Sequence, residues 1–164
     1  MGSERPMKVL ALDIGSVRIG VATSDETELL ASPYRVIQRR RGGARGAEEA
    51  ILRAVDETEA GLVVVGLPVS FDGMLHAQAK SIQAFAERLR RRLGVPLVYA
   101  DETLSTVRAE EKLRASGVRS DRIAARIDAA AAAVILQDYL DARRQAPSGS
   151  LPDVSERSID SAEP

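Results

Sequence analysis

The stretch KVLALDIGSVRIGVATSD, Lys8 to Asp25, decides the fold. Lys8 to Asp13 is a short apolar run, rich enough in Val and Leu for a buried strand. Arg18 to Thr23 alternates, with Ile19, Val21 and Thr23 on one face, as a strand against a core does. Gly15 and Ser16 between them have tight-turn composition, so the two strands form a hairpin. A third strand is expected around Tyr34 to Gln38, which makes the start of the chain an antiparallel meander.

Beyond this meander the period changes. Ala47 to Glu59 places Ile51, Leu52 and Val55 at helical spacing. Leu62 to Val65 reads as a buried strand, and Gly66 to Gly73 (GLPVSFDG) as a loop. Leu75 to Leu93 is a long helix with Ile82, Phe85, Ala86 and Leu89 inward, closed by Gly94. Pro96 to Ala100 is a further strand. Thr106 to Ser116 is a helix stopped by Gly117, and Asp121 to Arg143 is an Ala-rich one that Ser120 or Asp121 can cap. The order βββαβαβα predicts an α/β fold, a mixed sheet covered by helices.

At 164 residues the chain suits one domain of roughly 100–200 residues. The expected domain is 7–143, after an N-terminal extension of residues 1–6. Past Ala146 the composition turns to Pro, Ser, Gly and acids, and 147–164 is expected to be a disordered tail. There is no Cys, which excludes disulfides, a thiolate zinc site and a Cys nucleophile. With no Trp, two Phe and three Tyr, stacking platforms for bases are scarce, against a single-strand binding module. No apolar run approaches the roughly 18 residues of a membrane span. Met1 to Pro6 lacks the apolar stretch of a secretory signal, so a cytoplasmic protein is expected.

Net charge is −1, against avid nonspecific nucleic-acid binding. The tail from Pro147 contributes −3, leaving +2 on the rest. Between Glu28 and Glu48 lie Arg35, Arg39, Arg40, Arg41 and Arg45 without one acid. Arg39 to Arg45 is the best candidate for gripping a substrate, with a merely solvated loop as the plain alternative.

Three acidic positions stand out. Asp13 ends an apolar strand, where a carboxylate is costly unless paired or metal-bound; a turn-forming Asp is the plain alternative. Asp101 and Glu102 follow PLVYA, and since adjacent strand residues point to opposite faces, only one reaches a given site. Asp128 sits within a helix among Ile127, five alanines, Val134 and Ile135, an apolar face where pairing or metal binding would explain it. Two strand ends and a helix, all acidic, fit a site for Mg²⁺ or Mn²⁺, which prefer oxygen ligands. Two such ions support phosphodiester hydrolysis without a covalent protein nucleophile. The lone histidine, His76, near a helix start, reads as solvated or capping rather than as a general base. Arg88 and Arg90 to Arg92, late in their helix, suit the helix dipole.

Four blocks of the sequence carry a family resemblance. They are ALDIGSVRIGVATSD (Ala11 to Asp25, against DxGxxRxGxA), VVVGLPVSFDG (Val63 to Gly73), DETLST (Asp101 to Thr106) and IDAAAAAVILQDYL (Ile127 to Leu140). In this order and spacing the chain resembles the YqgF/RuvX family, described as Holliday junction resolvases and as pre-16S rRNA nucleases. The resemblance covers about Met7 to Leu140. It implies an RNase H-like fold and a metal-dependent nuclease, with Mg²⁺ or Mn²⁺ in a two-metal site and branched DNA or precursor rRNA as substrate. By position it implies Asp13, Glu102 and Asp128 as catalytic carboxylates, with Asp101 as the alternative ligand. Arg18 matches the family's basic residue and is expected to contact a phosphate or orient a carboxylate. Thr103 stands where the family's third block has Arg; Arg108, one turn on, is expected to compensate.

Two other classes compete. One is a noncatalytic nucleic-acid-binding ribosome-assembly factor on the same fold. The other is a small ATPase, since the first block resembles the phosphate loop of actin-like folds. The chain is short for the latter and has no G-x-x-x-x-G-K-[ST] loop. A junction resolvase needs two active sites and hence a homodimer, whereas RNA processing needs only a monomer.

Overall fold

The computed structural model describes residues 7–40, 43–68, 77–102 and 121–145. The elements are β1 (Lys8–Ile14), β2 (Arg18–Ser24), β3 (Ala31–Gln38), α1 (Gly43–Thr58), β4 (Ala60–Leu67), α2 (Ala77–Arg92), β5 (Leu97–Asp101) and α3 (Asp121–Gln145). They form one five-stranded sheet of order β3-β2-β1-β4-β5. β1, β2 and β3 are antiparallel neighbours, and β4 joins β1 and β5 in parallel. The mixed sheet and its opening meander are as expected from the sequence. The helix over Thr106 to Ser116, the N-terminal extension and the tail lie outside the described residues.

β1 and β4 lie inside the sheet and are covered on both faces, which is why they read as continuous apolar runs. On one face Leu10, Leu12, Val63 and Val65 pack with Ile51 and Ala54 of α1 and Ile82, Phe85 and Leu89 of α2. On the other, Val9, Ala11, Leu62 and Val64 pack with Ala132, Ile135, Leu136 and Leu140 of α3. The far end of α3 is tied to the sheet through Gln137. Its Oε1 accepts from Ala31 N at 2.9 Å, and its Nε2 donates to Leu29 O at 2.9 Å.

Several boundaries differ from the sequence reading. β3 begins at Ala31 and runs through Pro33, which an edge strand tolerates because it makes no demand for that N–H. A bulge between Pro33 and Arg35 restores its register with β2. Gly43, in the left-handed region at φ 65°, opens α1 four residues before Ala47. Glu59 at φ 54° turns the chain straight from α1 into β4. Gly66 is inside β4 rather than in a loop, and that correction bears on the site. Among the described residues no helix is long and apolar enough to cross a membrane.

Candidate active site

The pleat sorts the acidic residues. Asp13 shares its parity with Val9 and Ala11, so it faces α3, and it is 8% exposed. Its partner across β1 and β2 is Gly20. On the other side, Leu12 pairs with Val65 of β4, which brings Asp13 beside Gly66. Asp13 therefore stands between two glycines on the face that α3 covers.

Both glycines make room for something. A Cβ on Gly20 would collide with the carbonyl oxygen of Asp128, so α3 closes on the sheet at backbone contact. A Cβ on Gly66 would lie 2.6 Å from Ile135 Cδ1 and 3.0 Å from Glu102 Oε2. Glu102 thus lays its carboxylate over Gly66. Its backbone N donates to Leu67 O at 2.9 Å, extending the β4–β5 pairing by one residue, and it is 3% exposed. Asp101 takes the parity of Leu97 and Tyr99 on the opposite side of the pleat and is exposed. Of the adjacent pair, Glu102 joins Asp13 and Asp101 does not.

Asp128 overhangs the same end of the sheet from α3, 24% exposed, and accepts a hydrogen bond from Arg18 Nε at 2.5 Å. Arg18 opens β2 with the same parity as Gly20 and is 20% exposed. The ion pair turns the Asp128 carboxylate toward β2. Among the described residues no three acidic or His side chains converge on one ion position as placed. The donors themselves are hard carboxylate oxygens over glycine backbone, a set that fits Mg²⁺ or Mn²⁺.

The β1–β2 turn behind Asp13 is closed by Gly15 N donating to Arg18 O at 2.9 Å. A Cβ on Gly15 would sit 2.7 Å from that oxygen, so the turn needs glycine. Arg39 braces it: Arg39 N donates to Val17 O at 2.9 Å and Nη1 to Gly15 O at 2.7 Å. Its guanidinium lies 5.0 Å from the Phe85 ring. A cleft of about 390 Å³ opens here on the α2 side, with Ser16, Arg39, Arg40, Gln78 and Ser81 among its walls. Arg39 and Arg40 are thus at the same end of the sheet as the carboxylates but across the sheet from Asp13. Arg41, Thr103, Arg108 and His76 lie outside the described residues.

The arginines of α2 do more than favour a dipole. Arg92 and Arg88 pair with buried Glu48 of α1 at 3.0 and 3.5 Å. Arg90 pairs with Glu87, which also accepts from Tyr99 Oη at 2.8 Å. These side chains join helix to helix and helix to β5, away from the carboxylates. The sequence reading did not single out Gly20, and it put Gly66 in a strand-end loop rather than inside β4 under the Glu102 carboxylate. The available signal was a glycine inside a strand pattern, which marks a close approach of other atoms.

Comparison with known proteins bears on the family and the fold. Residues 7–142 match the RuvX family, described as Holliday junction resolvase. An Anaeromyxobacter protein is 45% identical over 138 residues, covering 84% of this chain and 98% of its own. A Roseiflexus protein is 40% identical over 142 residues, covering 87% and 99%. The names of both contain the words pre-16S rRNA nuclease. Among solved structures, Thermus thermophilus RuvC in complex with a Holliday junction superposes with a TM-score of 0.50 at 14% identity, covering 85% of this chain and 96% of that one. The fowlpox virus resolvase bound to Holliday junction DNA gives 0.51 at 12% identity, covering 83% and 98%. These structures share the fold at identities too low to carry function. With the sheet order, the sequence matches and the structural likeness in accord, the chain belongs to the RuvX family and has an RNase H-like fold.

Proposed function

We propose that this chain is a divalent-metal-dependent nuclease that hydrolyses phosphodiester bonds of structured nucleic acid, with Asp13, Glu102 and Asp128 as its catalytic carboxylates. The observation that carries the reading is the convergence of Asp13 and Glu102, both buried, on one glycine-lined end of the sheet, with Asp128 directly above. Asp13 and Glu102 would hold Mg²⁺ or Mn²⁺, and Asp128 would complete the set once its carboxylate turns from Arg18. When bound, such ions lower the pKa of water and neutralise charge on the phosphoryl oxygens.

The chain's own residues supply orientation. β1 and the β4–β5 pairing fix Asp13 and Glu102, so neither carboxylate has to be ordered at the moment of reaction. Arg18 holds the Asp128 carboxylate through its Nε in this arrangement and would be freed to meet a phosphate when that carboxylate turns. Arg39 and Arg40 stand at the same end of the sheet, where a phosphate on the flank of the cut would meet them. Arg41 and Arg108 are proposed as further substrate contacts on sequence grounds alone.

Precursor small-subunit rRNA is the first substrate to test, because relatives at 40–45% identity carry that name. Branched DNA is the second, on the family's description as a resolvase. The deciding experiment sets a single-stranded precursor-rRNA fragment beside a four-way DNA junction, with Mg²⁺, with Mn²⁺ and with chelator. Metal-dependent cutting of one substrate, lost in Asp13→Asn and Asp128→Asn, is the expected result. Binding without cutting under every metal, by folded protein, would replace this reading with that of a noncatalytic assembly factor.

A further inference from the structure

A second basic surface lies on the other side of the sheet from Arg39 and Arg40. Between the edge strand β3 and the first half of α3 runs an open groove of about 400 Å³. Pro33, Val36, Ala125 and Ala129 belong to its lining, and so do Arg35, Arg122 and Arg126, with no acidic residue among the described ones. Arg35 is held by Glu57 at 2.8 Å. Arg122 and Arg126 are one helical turn apart, so they project from the same face of α3. Both are exposed, and neither forms an ion pair among the described residues.

The groove also has a fixed position relative to the carboxylates. Asp13 pairs with Gly20, and Gly20 pairs with Val36, so a single row crosses the sheet from the carboxylate to the groove wall. Two strand spacings separate its ends, about 10 Å. Asp128 is two residues beyond Arg126 on the helix that forms the other wall. The Asp128 carbonyl closes that row at Gly20, so a polyanion whose reacting phosphate lies at Asp13 would reach the groove within a few nucleotides by passing Asp128 and Arg18 at the end of the sheet, not along the row itself.

We infer that this groove carries the sugar–phosphate backbone on one side of the cut, with Arg122 and Arg126 as its phosphate contacts. The inference rests on the nuclease reading for its direction, but binding alone tests it. The charge decides the occupant: walls of Pro, Val and Ala rimmed by two guanidiniums without an ion pair among the described residues suit phosphates with their sugars beneath. The loss of each phosphate contact lowers the salt dependence of binding by a known increment.

The test is fluorescence anisotropy in chelator, so that no cutting occurs, with a labelled precursor-rRNA fragment and a labelled four-way DNA junction. Wild type is compared with Arg122→Ala/Arg126→Ala and Arg122→Lys/Arg126→Lys, all verified as folded by circular dichroism. For the Ala variant, affinity is expected to fall about tenfold at low salt. The slope of log K against log salt should shrink by about 1.4 for the single strand, or about 1.8 for duplex arms, the increment of two lost contacts. The Lys variant should recover the slope. Equal affinity and slope in wild type and Ala variant would overturn the groove while leaving the nuclease reading intact, as would a loss that lysine fails to restore. A shift from dimer to monomer in the Ala variant without a change in slope would assign the groove to a second copy of the chain and overturn the inference. Absence of nucleic-acid binding by wild type in chelator would overturn the groove, whose contacts need no metal, and leave the nuclease reading to the cleavage assay.

Discussion

Under α1 and α2 the sheet meets Phe85, Leu89, Ile51 and Ile82, while under α3 it meets alanines, Ile135 and Leu136. The first face fills its volume with large side chains and ties its helices together through Glu48 with Arg88 and Arg92. The second is thin, closed down to backbone contact at Gly20, and ends on Asp13 and Glu102. A large apolar filling stabilises by the area it removes from water. A close approach of backbone to backbone adds little area but fixes Asp128 over its strand. The comparison teaches that stability and the site are drawn from opposite sides of one sheet.

If that division holds, substitutions on the two faces should separate stability from cleavage. Phe85→Ala is expected to cost about 3–5 kcal/mol, the scale for deleting a buried aromatic. The fraction that stays folded should still cleave. Gly20→Ala forces a methyl against the Asp128 carbonyl and is expected to cost less, about 1–3 kcal/mol, yet to depress cleavage more strongly because α3 must lift. Denaturant titration beside specific activity checks both. Equal loss of activity per folded molecule in the two variants would break the comparison.

A smaller effect concerns pH on the α1/α2 side. Burial first, and then the hydrogen bond to Glu87, push the Tyr99 hydroxyl well above its ordinary value of about 10. The folded state therefore favours the protonated phenol. That contribution is complete below pH 10 and declines as pH rises above it, when the unfolded chain ionises first. Tyr99→Phe should flatten the alkaline fall in stability between pH 10 and 12. A parallel fall in both proteins would contradict the assignment.

The meander was legible because Lys8 to Thr23 carries its turn and its alternation locally, and the Asp128 anomaly was legible because Asp is a poor guest in an alanine helix. Gly66 was misread because a glycine-proline boundary resembles a loop in one dimension, whereas β4 continues through it by pairing with β5. Pro33 hid the start of β3 for a similar reason, since edge position is a property of the sheet and not of the strand. The choice between Asp101 and Glu102 needed the register of β5, which PLVYA alone leaves open. The groove beside Arg122 and Arg126 was invisible because β3 and α3 are far apart in sequence.

The central claim is that the carboxylates on the α3 face form the reactive site, and Asp101 beside Glu102 gives it an internal control. Metal-dependent cleavage by Glu102→Gln and Asp101→Asn, measured side by side on whichever substrate wild type cuts, tests it most directly. Glu102→Gln is expected to lose at least about 10²-fold in rate, the scale of removing one preorganised electrostatic contact. Asp101→Asn should stay within about twofold of wild type, because Asp101 is exposed on the opposite side of the pleat from Asp13 and Glu102. Equal losses in both, or a greater loss in Asp101→Asn, would contradict the account.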